Sequence, residues 1–217
     1  MDIQNKTFTF LFVKGWSKGK NDRSGLDIAL KAFTEEFRNN EKVKFIAKIN
    51  PVYNMPGWDI GREMEKLDLP KDRAKIVIIT SLMPNEHIND LYNISDVYVS
   101  VSKAEGFDLP CIEAMACGKP CIVSNYGGHV DFVNDKNGWL IDGEMRPASD
   151  PNIIFEQTDW FYCDQKKLQD AMREAFENRD MLKKKGEEAY KTSRKYSWEA
   201  SAKKLLESIE KFKSPSL

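Results

Sequence analysis

The sequence has no excess of charge of either sign. Its 33 lysine and arginine residues stand against 34 aspartate and glutamate residues, which leaves a formal net charge of −1 over 217 residues. Without a global electrostatic field, the chain is not expected to bind nucleic acid or an anionic membrane surface, and any phosphate binding must be local.

Long apolar runs are missing as well. No run of about 18 apolar residues occurs, so no transmembrane segment is predicted. The N-terminus lacks the basic, apolar and small-residue order of a secretory signal. We therefore expect a soluble, cytoplasmic protein, while peripheral attachment of a full-length protein to a membrane stays open.

Cysteine and histidine are scarce. The 4 cysteines have no Cys-x-x-Cys spacing, and only His87 and His129 are available to join them around a metal. Structural zinc sites use closely spaced Cys and His pairs, so we expect no metal site. The cysteines fall inside or beside apolar runs, which favours buried, reduced thiols that act as small hydrophobic side chains.

The common nucleotide-binding fingerprints, G-x-G-x-x-G and G-x-x-x-x-G-K-[ST], are absent. Between residues 7 and 141, however, short apolar and β-branched runs alternate with segments of helical period. This alternation predicts an α/β fold, a single Rossmann-like domain with a mostly parallel six-stranded sheet flanked by helices. The predicted strands are residues 8–13, 43–49, 75–80, 97–101, 120–124 and, more weakly, 138–141.

The last third of the chain follows a different pattern. Residues 142–164 contain two prolines, an aromatic cluster and no clear period, so we predict a surface excursion there. The charged amphipathic patterns at 168–176, 181–190 and 198–212 predict C-terminal helices that pack across the sheet, the last within residues 195–217. We expect residues 1–217 to form one domain.

One segment, EGFDLPCIE, is the most informative about function. Its Glu105 and Glu113 lie eight positions apart, across a glycine turn and the start of a helix, shortly before a buried strand. Backbone N–H groups and carboxylates would converge there on a polar ligand, and a sugar nucleotide suits such a site. Taken singly, Glu105 could instead cap a helix. Glu113 lies among apolar helix residues, where an unpaired acid is costly, and this favours a ligand or a cationic partner.

Cations lie near the predicted carboxyl ends of two strands, where open parallel sheets bind ligands. The loop at 14–25 is rich in glycine and basic residues, which favours a phosphate, with a flexible solvated turn as the alternative. Lys48 lies inside an otherwise apolar strand. It either meets an anion there or extends its ammonium to the surface.

Two further loops follow predicted strands. Ser81 and Leu82 would form a wall where a nucleotide base meets backbone polar groups. Gly127 and Gly128 permit close approach of the backbone to a diphosphate, although a tight turn explains them almost as well. His129, next to them, is either a plain loop residue or a group near the donor phosphates.

These residues resemble the C-terminal, donor-binding half of a GT-B-fold glycosyltransferase of retaining family 4, the glycosyl transferases group 1 set. The similarity runs in order along most of the chain. Its most specific parts are the E-x7-E motif at 105–113 and EAMACGKP at 113–120. The other matching segments are RSGLD at 23–27, LYNISDV at 91–97, the glycine pair at 127–128, NGWL at 137–140 and YSW at 196–198.

The resemblance implies distinct roles for the two carboxylates. Glu113 would hydrogen-bond the ribose hydroxyls of the nucleotide, while Glu105 would face the donor sugar, with backbone amides of the same loop beside it. The remaining residues expected around the donor are Gly15, Gly106, Phe107, Asp108 and Leu109.

The resemblance also implies how the diphosphate leaves. Arg23 and Lys48 would supply positive charge, with Lys18 and Lys14 as substitutes, so Glu105, Arg23 and Lys48 are the predicted catalytic residues. In the family, basic side chains and helix N-terminal amides stabilise the leaving diphosphate without an obligatory metal, and no cofactor is expected besides the donor. Retention is ascribed to a front-face displacement in which the leaving phosphate oxygen helps to take the acceptor's proton.

Two local departures from the family pattern weaken the phosphate assignment. The usual Arg-Lys-Gly is RSG at 23–25, so Lys18, Lys20 or Lys48 must replace the missing cation. The glutamate of the Gly-Gly-x-x-Glu pattern is Asp131, one methylene shorter.

Length is the third departure. A GT-B enzyme closes two Rossmann-like domains around its substrates, and this chain contains one. The predicted function is transfer of a sugar from a UDP-, GDP- or ADP-sugar to an acceptor, with an N-terminal acceptor-binding domain or a separate subunit supplying the missing half. The alternatives are a stand-alone nucleotide-sugar-binding module without activity of its own, and an interaction domain with a degenerate pocket.

Overall fold

The computed structural model describes residues 6–16, 22–50, 59–148 and 157–213. The strands are β1 (Phe8–Gly15), β2 (Val43–Asn50), β3 (Lys75–Ile79), β4 (Val97–Ser100), β5 (Cys121–Ser124), β6 (Gly138–Ile141), β7 (Gly143–Pro147) and β8 (Asp159–Cys163). The α-helices are α1 (Leu26–Glu36), α2 (Ile60–Glu65), α3 (Asn85–Ile94), α4 (Leu109–Ala116), α5 (Gln165–Glu177), α6 (Arg179–Ser193) and α7 (Trp198–Lys213), with short 3-10 helices at Gly128–Asp131 and Arg194–Tyr196.

Six strands form one parallel sheet in the order β3-β2-β1-β4-β5-β6. The sheet and its flanking helices confirm the predicted Rossmann-like α/β fold, and β1 extends two residues beyond its predicted end, to Gly15. Because the strand order reverses between β1 and β4, a crevice is expected at the carboxyl ends of these two strands.

Strand β1 shows why the sheet could be predicted. Phe8, Phe10 and Phe12 are fully buried in the core cluster that includes residues of α1 and α5. Leu11 is buried in the other cluster, with residues of α3 and α4. A strand covered on both faces reads as a continuous apolar run, which is the pattern that the sequence displays.

The region at 142–164 contains two strands, which corrects the prediction of a surface excursion there. Strands β7 and β8 form an antiparallel ribbon. Strand β7 is exposed, but Trp160 and Phe161 of β8 are 2% and 7% exposed. The N–H of Phe161 donates to the carbonyl of Lys103 at 2.8 Å, and the Phe161 ring stacks on Tyr126 with centroids 5.3 Å apart. The ribbon therefore adds buried side chains to the core rather than only a surface loop.

The three predicted C-terminal helices are present as α5, α6 and α7. Helix α7 differs from the other two because its large apolar side chains are exposed, with Trp198 85%, Leu205 62% and Phe212 92% accessible. No helix in the described ranges has the length and apolar character needed to cross a bilayer.

Candidate functional site

Three neighbouring strands end side by side at one edge of the sheet. Strands β1, β4 and β5 are adjacent and parallel, so their carboxyl ends meet there. β1 ends with Lys14 and Gly15, β4 leads into residues 101–108, and β5 leads into residues 125–131. The predicted donor loops are thus brought together at the point where the sheet order reverses.

Glu105 is held in place by its neighbours. Its Oε2 accepts a hydrogen bond from Lys14 Nζ at 2.5 Å and a longer one from Ser102 Oγ at 3.4 Å, and Oε1 accepts the Gly106 N–H at 3.1 Å. The side chain remains 18% exposed. Helix α4 begins four residues later, so the helix-cap explanation of Glu105 does not apply.

Asp108 precedes α4 in the left-handed backbone region, with φ 71° and ψ 63°, but its side chain does not cap the helix. The carboxylate is fully buried. Oδ1 lies 3.1 Å from Lys14 Nζ, and Oδ2 accepts Ser100 Oγ at 2.5 Å and lies 3.4 Å from His129 Nδ1. Burial alone would raise the pKa of Asp108, but the Lys14 charge and the nearby His129 and Ser100 side chains outweigh it and lower the pKa to about 2.

His129 is fully buried beneath the loop after β5. Its Nε2 lies 2.7 Å from the Ser124 carbonyl oxygen and 3.2 Å from Ser124 Oγ, while Nδ1 faces Asp108. Because a carbonyl only accepts, Nε2 carries a proton and donates it to the Ser124 carbonyl. His129 therefore ties β5 to the start of α4. It does not present its ring to a ligand, and the sequence contained no signal for this contact.

The four glycines of the site fall into two pairs. A Cβ on Gly128 would lie 1.8 Å from the Gly106 carbonyl oxygen, and one on Gly127, whose φ is +102°, would lie 2.9 Å from the Glu105 carbonyl oxygen. The glycine pair thus allows close contact with the loop that carries Glu105, a second role beside the predicted approach to a diphosphate. A Cβ on Gly15 or Gly106 meets no atom of the described residues within 4 Å. Packing does not require glycine at these two positions, and a ligand can approach them.

Arg23 lies beside the Glu105 loop. Its side chain is exposed, its Nη1 donates to the Ala104 carbonyl at 2.5 Å, and its own carbonyl accepts the N–H of Lys103 at 2.9 Å. The guanidinium therefore stays at the sheet edge next to Glu105 with further donors available. Lys18 and Lys20 lie outside the described residues.

Lys48 is one strand further from the site. It pairs in register with Val13 of β1 and is 6% exposed, and its Nζ donates to the Ile49 carbonyl at 3.0 Å. Burial lowers the pKa of Lys48. Within the described residues, no contact joins this ammonium to Glu105 or Arg23, so of the two predicted phosphate cations only Arg23 is joined to the Glu105 loop.

Glu113 is exposed, which corrects the expectation that its apolar neighbours imply burial. Helix α4 turns its buried face through Cys111, Ile112, Ala114 and Met115, and the intervening Glu113 points to solvent. Its Oε2 accepts the Tyr92 hydroxyl at 2.9 Å. Burial and the nearby Glu113 charge raise the pKa of Tyr92, so the phenol stays protonated and donates.

A cavity of about 310 Å³ opens between α3 and α4 beside Glu113. Glu105 does not line it, so the two carboxylates do not share one cavity wall. The lining residues are Asn85, Ile88, Asn89, Tyr92, Glu113, Ala116 and Cys117.

Cys117 is the half-buried thiol of the chain, whereas the other three cysteines are buried as predicted. Its Sγ lies 3.3 Å from Asn89 Oδ1 in the wall of the α3–α4 cavity. Among the described residues, no three or more His, Cys, Asp or Glu side chains are grouped to hold a metal ion.

Four other predicted donor-binding side chains are exposed. Ser81 and Leu82 follow β3 and precede α3, and Leu82 is 72% accessible. Phe107 and Leu109 flank the buried Asp108 and are 41% and 50% accessible. The Phe107 ring also packs against Phe132 and Tyr196, with centroids 5.3 and 6.3 Å away. The exposed parts of these side chains are available for contact with a ligand.

Comparison with known proteins agrees with this geometry. The family model for "Glycosyl transferases group 1" matches residues 23–192. D-inositol 3-phosphate glycosyltransferase of Corynebacterium jeikeium (strain K411) is 30% identical over 149 residues, which cover 67% of this chain and 31% of that protein.

Two solved structures share the fold. Sucrose-phosphate synthase from Thermosynechococcus elongatus has a TM-score of 0.67 at 19% identity, covering 97% of this chain and 46% of that one. Anabaena Alr3699/HepE, solved in complex with UDP and glucose, has a TM-score of 0.64 at 17% identity, covering 94% and 48%. The chain spans about half of each solved structure and under a third of the curated relative. The chain belongs to the glycosyl transferases group 1 family.

Proposed function

We propose that the chain is the donor-binding half of a retaining glycosyltransferase that transfers a sugar from a nucleoside diphosphate sugar to an acceptor. The observation that carries the proposal is the position of Glu113. Its carboxylate is exposed in the wall of the α3–α4 cavity, and it is oriented by the Tyr92 hydroxyl.

The nucleoside would occupy the cavity between α3 and α4. Tyr92 occupies one oxygen of Glu113, and the other, which has no hydrogen-bond partner among the described residues, would accept a ribose hydroxyl. A volume of about 310 Å³ lies at the lower end of the range for small-molecule sites. Ser81 and the exposed Leu82 would contact the base from the loop before α3.

The sugar would lie beside Glu105. The open backbone at Gly15 and Gly106 lets a ligand approach, and the amides of Gly106, Phe107 and Asp108 would face it together with the Glu105 carboxylate. Leu109 would contact the donor from the first turn of α4.

The leaving diphosphate needs cations, and Arg23 is the best placed of the described ones. A guanidinium offers five donors in a fixed fork, of which one is used by the Ala104 carbonyl. Lys48 would contribute from β2, and Lys18 from the loop after β1. Stabilising the developing phosphate charge in this way requires no metal, and the same phosphate oxygen would help to take the acceptor's proton, which retains the anomeric configuration.

The acceptor-binding half is proposed to lie outside this chain. Helix α7 carries exposed Trp198, Leu205, Ile209 and Phe212 at helical spacing on one stripe. A stripe of this kind requires an apolar partner, and an N-terminal acceptor domain or a separate subunit would cover it. A module that binds the donor without activity of its own is the second candidate, since the chain spans only about half of the related structures.

A thermal-shift panel tests the proposal. UDP, GDP, ADP and their sugar conjugates are added to the wild-type chain and to Glu113→Ala, with Glu199→Ala on α7 as a control for loss of an exposed acid. One diphosphate should raise the melting temperature of the wild type and the control, and Glu113→Ala should lose most of the rise. Equal shifts in all three proteins would refute the ribose assignment, and no shift with any nucleotide would favour the interaction domain.

Alkylation of Cys117 gives an independent measurement. A thiol reagent should label this half-buried cysteine first, and the diphosphate that stabilises the chain should slow the labelling because both occupy the α3–α4 cavity. Labelling at the same rate with and without that diphosphate would place the nucleotide elsewhere.

Turnover is then measured with and without a candidate acceptor subunit, to separate the enzyme from the binding module.

A further inference from the structure

We propose that Asp108 is a positioning residue for the donor sugar, and that it acts through Lys14 to hold the Glu105 carboxylate. The inference rests on the proposed function and assigns to this side chain a task that the family resemblance does not give it, since the resemblance implies only the backbone amide of Asp108.

The first observation is the geometry of Lys14. Its ammonium lies 2.5 Å from Glu105 and 3.1 Å from Asp108, and its side chain is 8% exposed. Two carboxylates and one ammonium give the group a net charge of −1. Lys14 is therefore engaged as the counter-ion of the carboxylates and is a poor candidate for the diphosphate, in contrast to the expectation that it substitutes for Arg23.

The second observation is that Asp108 joins three strands at the sheet edge. Its carboxylate contacts Lys14 of β1, Ser100 of β4 and His129 of the turn after β5. Each contact fixes one side of the crevice relative to the others. A pKa of about 2 keeps the carboxylate charged over the physiological range despite full burial.

The third observation is the backbone of Asp108. A φ of 71° lies in the left-handed region, which glycine adopts without strain and other residues adopt at a cost. The usual gain from aspartate before a helix is a side-chain cap, and this side chain makes none. What the aspartate provides at this position is its inward contact with Lys14, Ser100 and His129.

Together these contacts place the positive charge that orients Glu105. Without Asp108, Glu105 would be the one remaining ion-pair partner of Lys14 among the described residues, and both flexible side chains would move together. A carboxylate that must accept hydroxyl hydrogen bonds at defined angles loses binding when it moves by a fraction of an ångström. The nucleoside part of the donor, held at Glu113 and Tyr92, should not sense this change.

The test compares Kd values for UDP-glucose and UDP by titration calorimetry, or for the GDP or ADP pair if that diphosphate stabilises the chain. The variants are Lys14→Met, Asp108→Asn, which tolerates the left-handed backbone, and Asp108→Gly, which relieves it. Asp170→Asn removes one partner of an exposed pair with Lys166 and is the control.

Wild type and the control should bind the sugar conjugate more tightly than UDP. In the three site variants this preference should fall about tenfold, the scale of one charge-assisted hydrogen bond, while the affinity for UDP stays unchanged. Adding Asp108→Asn to Glu105→Gln should reduce the preference for the sugar conjugate no further, because both substitutions remove the same interaction. The role of Asp108 would be overturned if Asp108→Gly kept the preference for UDP-glucose, or if the variants lost UDP and UDP-glucose affinity equally. It would also be overturned if the effects of Asp108→Asn and Glu105→Gln were fully additive, or if wild type showed no preference. Failure of every diphosphate to bind wild type would overturn the proposed function as well.

Discussion

Lys103 and Asp27 form a buried ion pair, with Nζ 3.0 Å from Oδ2, that joins the loop after β4 to the first turn of α1. The ammonium also lies 5.2 Å from the Tyr162 ring centroid and 5.8 Å from that of Trp160. Burial outweighs the opposing Lys103 charge and raises the pKa of Asp27 to about 6. The pair thus anchors the loop that carries Glu105 to helix α1.

This pair predicts a pH-dependent stability. The pKa of Asp27 is higher in the folded chain than its ordinary value of 3.8, so the folded state binds the proton more tightly and stability falls as the pH rises from about 4 through about 6. Lys103→Met removes the compensating charge and should destabilise the fold by about 3 kcal/mol at pH 7.5, with partial recovery at pH 5. Urea unfolding at both pH values measures this. An equal loss at the two pH values would contradict it, and the exposed Lys166→Met is the control.

The glycines of the site predict opposite outcomes for the same substitution. Gly128→Ala would bring a Cβ to 1.8 Å from the Gly106 carbonyl, so unfolding should become easier by about 1–3 kcal/mol. The Cβ of Gly106→Ala meets no atom of the part of the chain that the structure describes within 4 Å. This variant should change stability by less than about 0.5 kcal/mol, yet weaken binding of the sugar nucleotide. Denaturation curves and titrations separate the two, and a stable Gly128→Ala chain would show that the loops are not in contact.

Arg23 should matter more than Lys48 for the diphosphate. Arg23 lies exposed beside the Glu105 loop, whereas the Lys48 ammonium donates to the Ile49 carbonyl from a buried stem. Arg23→Met should weaken binding of UDP about tenfold and leave binding of uridine unchanged, because only UDP carries phosphate charge. Calorimetry at two salt concentrations checks this, and a larger loss in Lys48→Met would reverse the assignment.

Tyr92→Phe isolates the orientation of Glu113. The phenol is the donor to Glu113 Oε2, so its removal should weaken UDP about three- to tenfold while the carboxylate stays in place. The melting temperature of the free chain should change little, because Glu113 remains solvated. If the affinity for UDP is unchanged, the hydrogen bond does not serve the nucleotide.

The exposed apolar stripe of α7 predicts that lysine substitutions there leave the stability of the fold nearly unchanged. Trp198→Lys with Leu205→Lys should shift the free energy of unfolding by less than about 0.5 kcal/mol, since both side chains are largely accessible, and should reduce the fluorescence of a hydrophobic dye. Leu168→Lys, in the buried face of α5, is the contrasting variant and should unfold the chain. A large loss in the α7 variant would mean that the stripe already packs against the domain.

The sheet could be predicted because its strands are covered on both faces, so apolar runs such as that of β1 mark them directly. The β7–β8 ribbon could not, because one strand is exposed and the other is buried by tertiary contacts. Helix α5, predicted at 168–176, follows from the 3.6-residue period, while the short α2 carries too few residues for that signal.

The site was predictable as a set of loops but not as a set of contacts. Glu105, Arg23 and the glycine pair meet because they follow adjacent parallel strands. The partner of Glu105 is Lys14, 91 positions away, and no local pattern identifies it. Glu113 was expected to be buried because its neighbours are apolar, but a step of about 100° per helical residue turns it outward.

The start of α4 has a consequence for how a bound donor would alter the domain. Asp108 directs its side chain inward, and Pro110 in the first turn has no N–H, so α4 begins without a side-chain hydrogen bond to its opening amides. An anionic or hydroxylated ligand at this point would act as the missing N-terminal cap of α4. Occupancy should therefore slow hydrogen exchange along α4, so the domain would be more rigid with the donor bound.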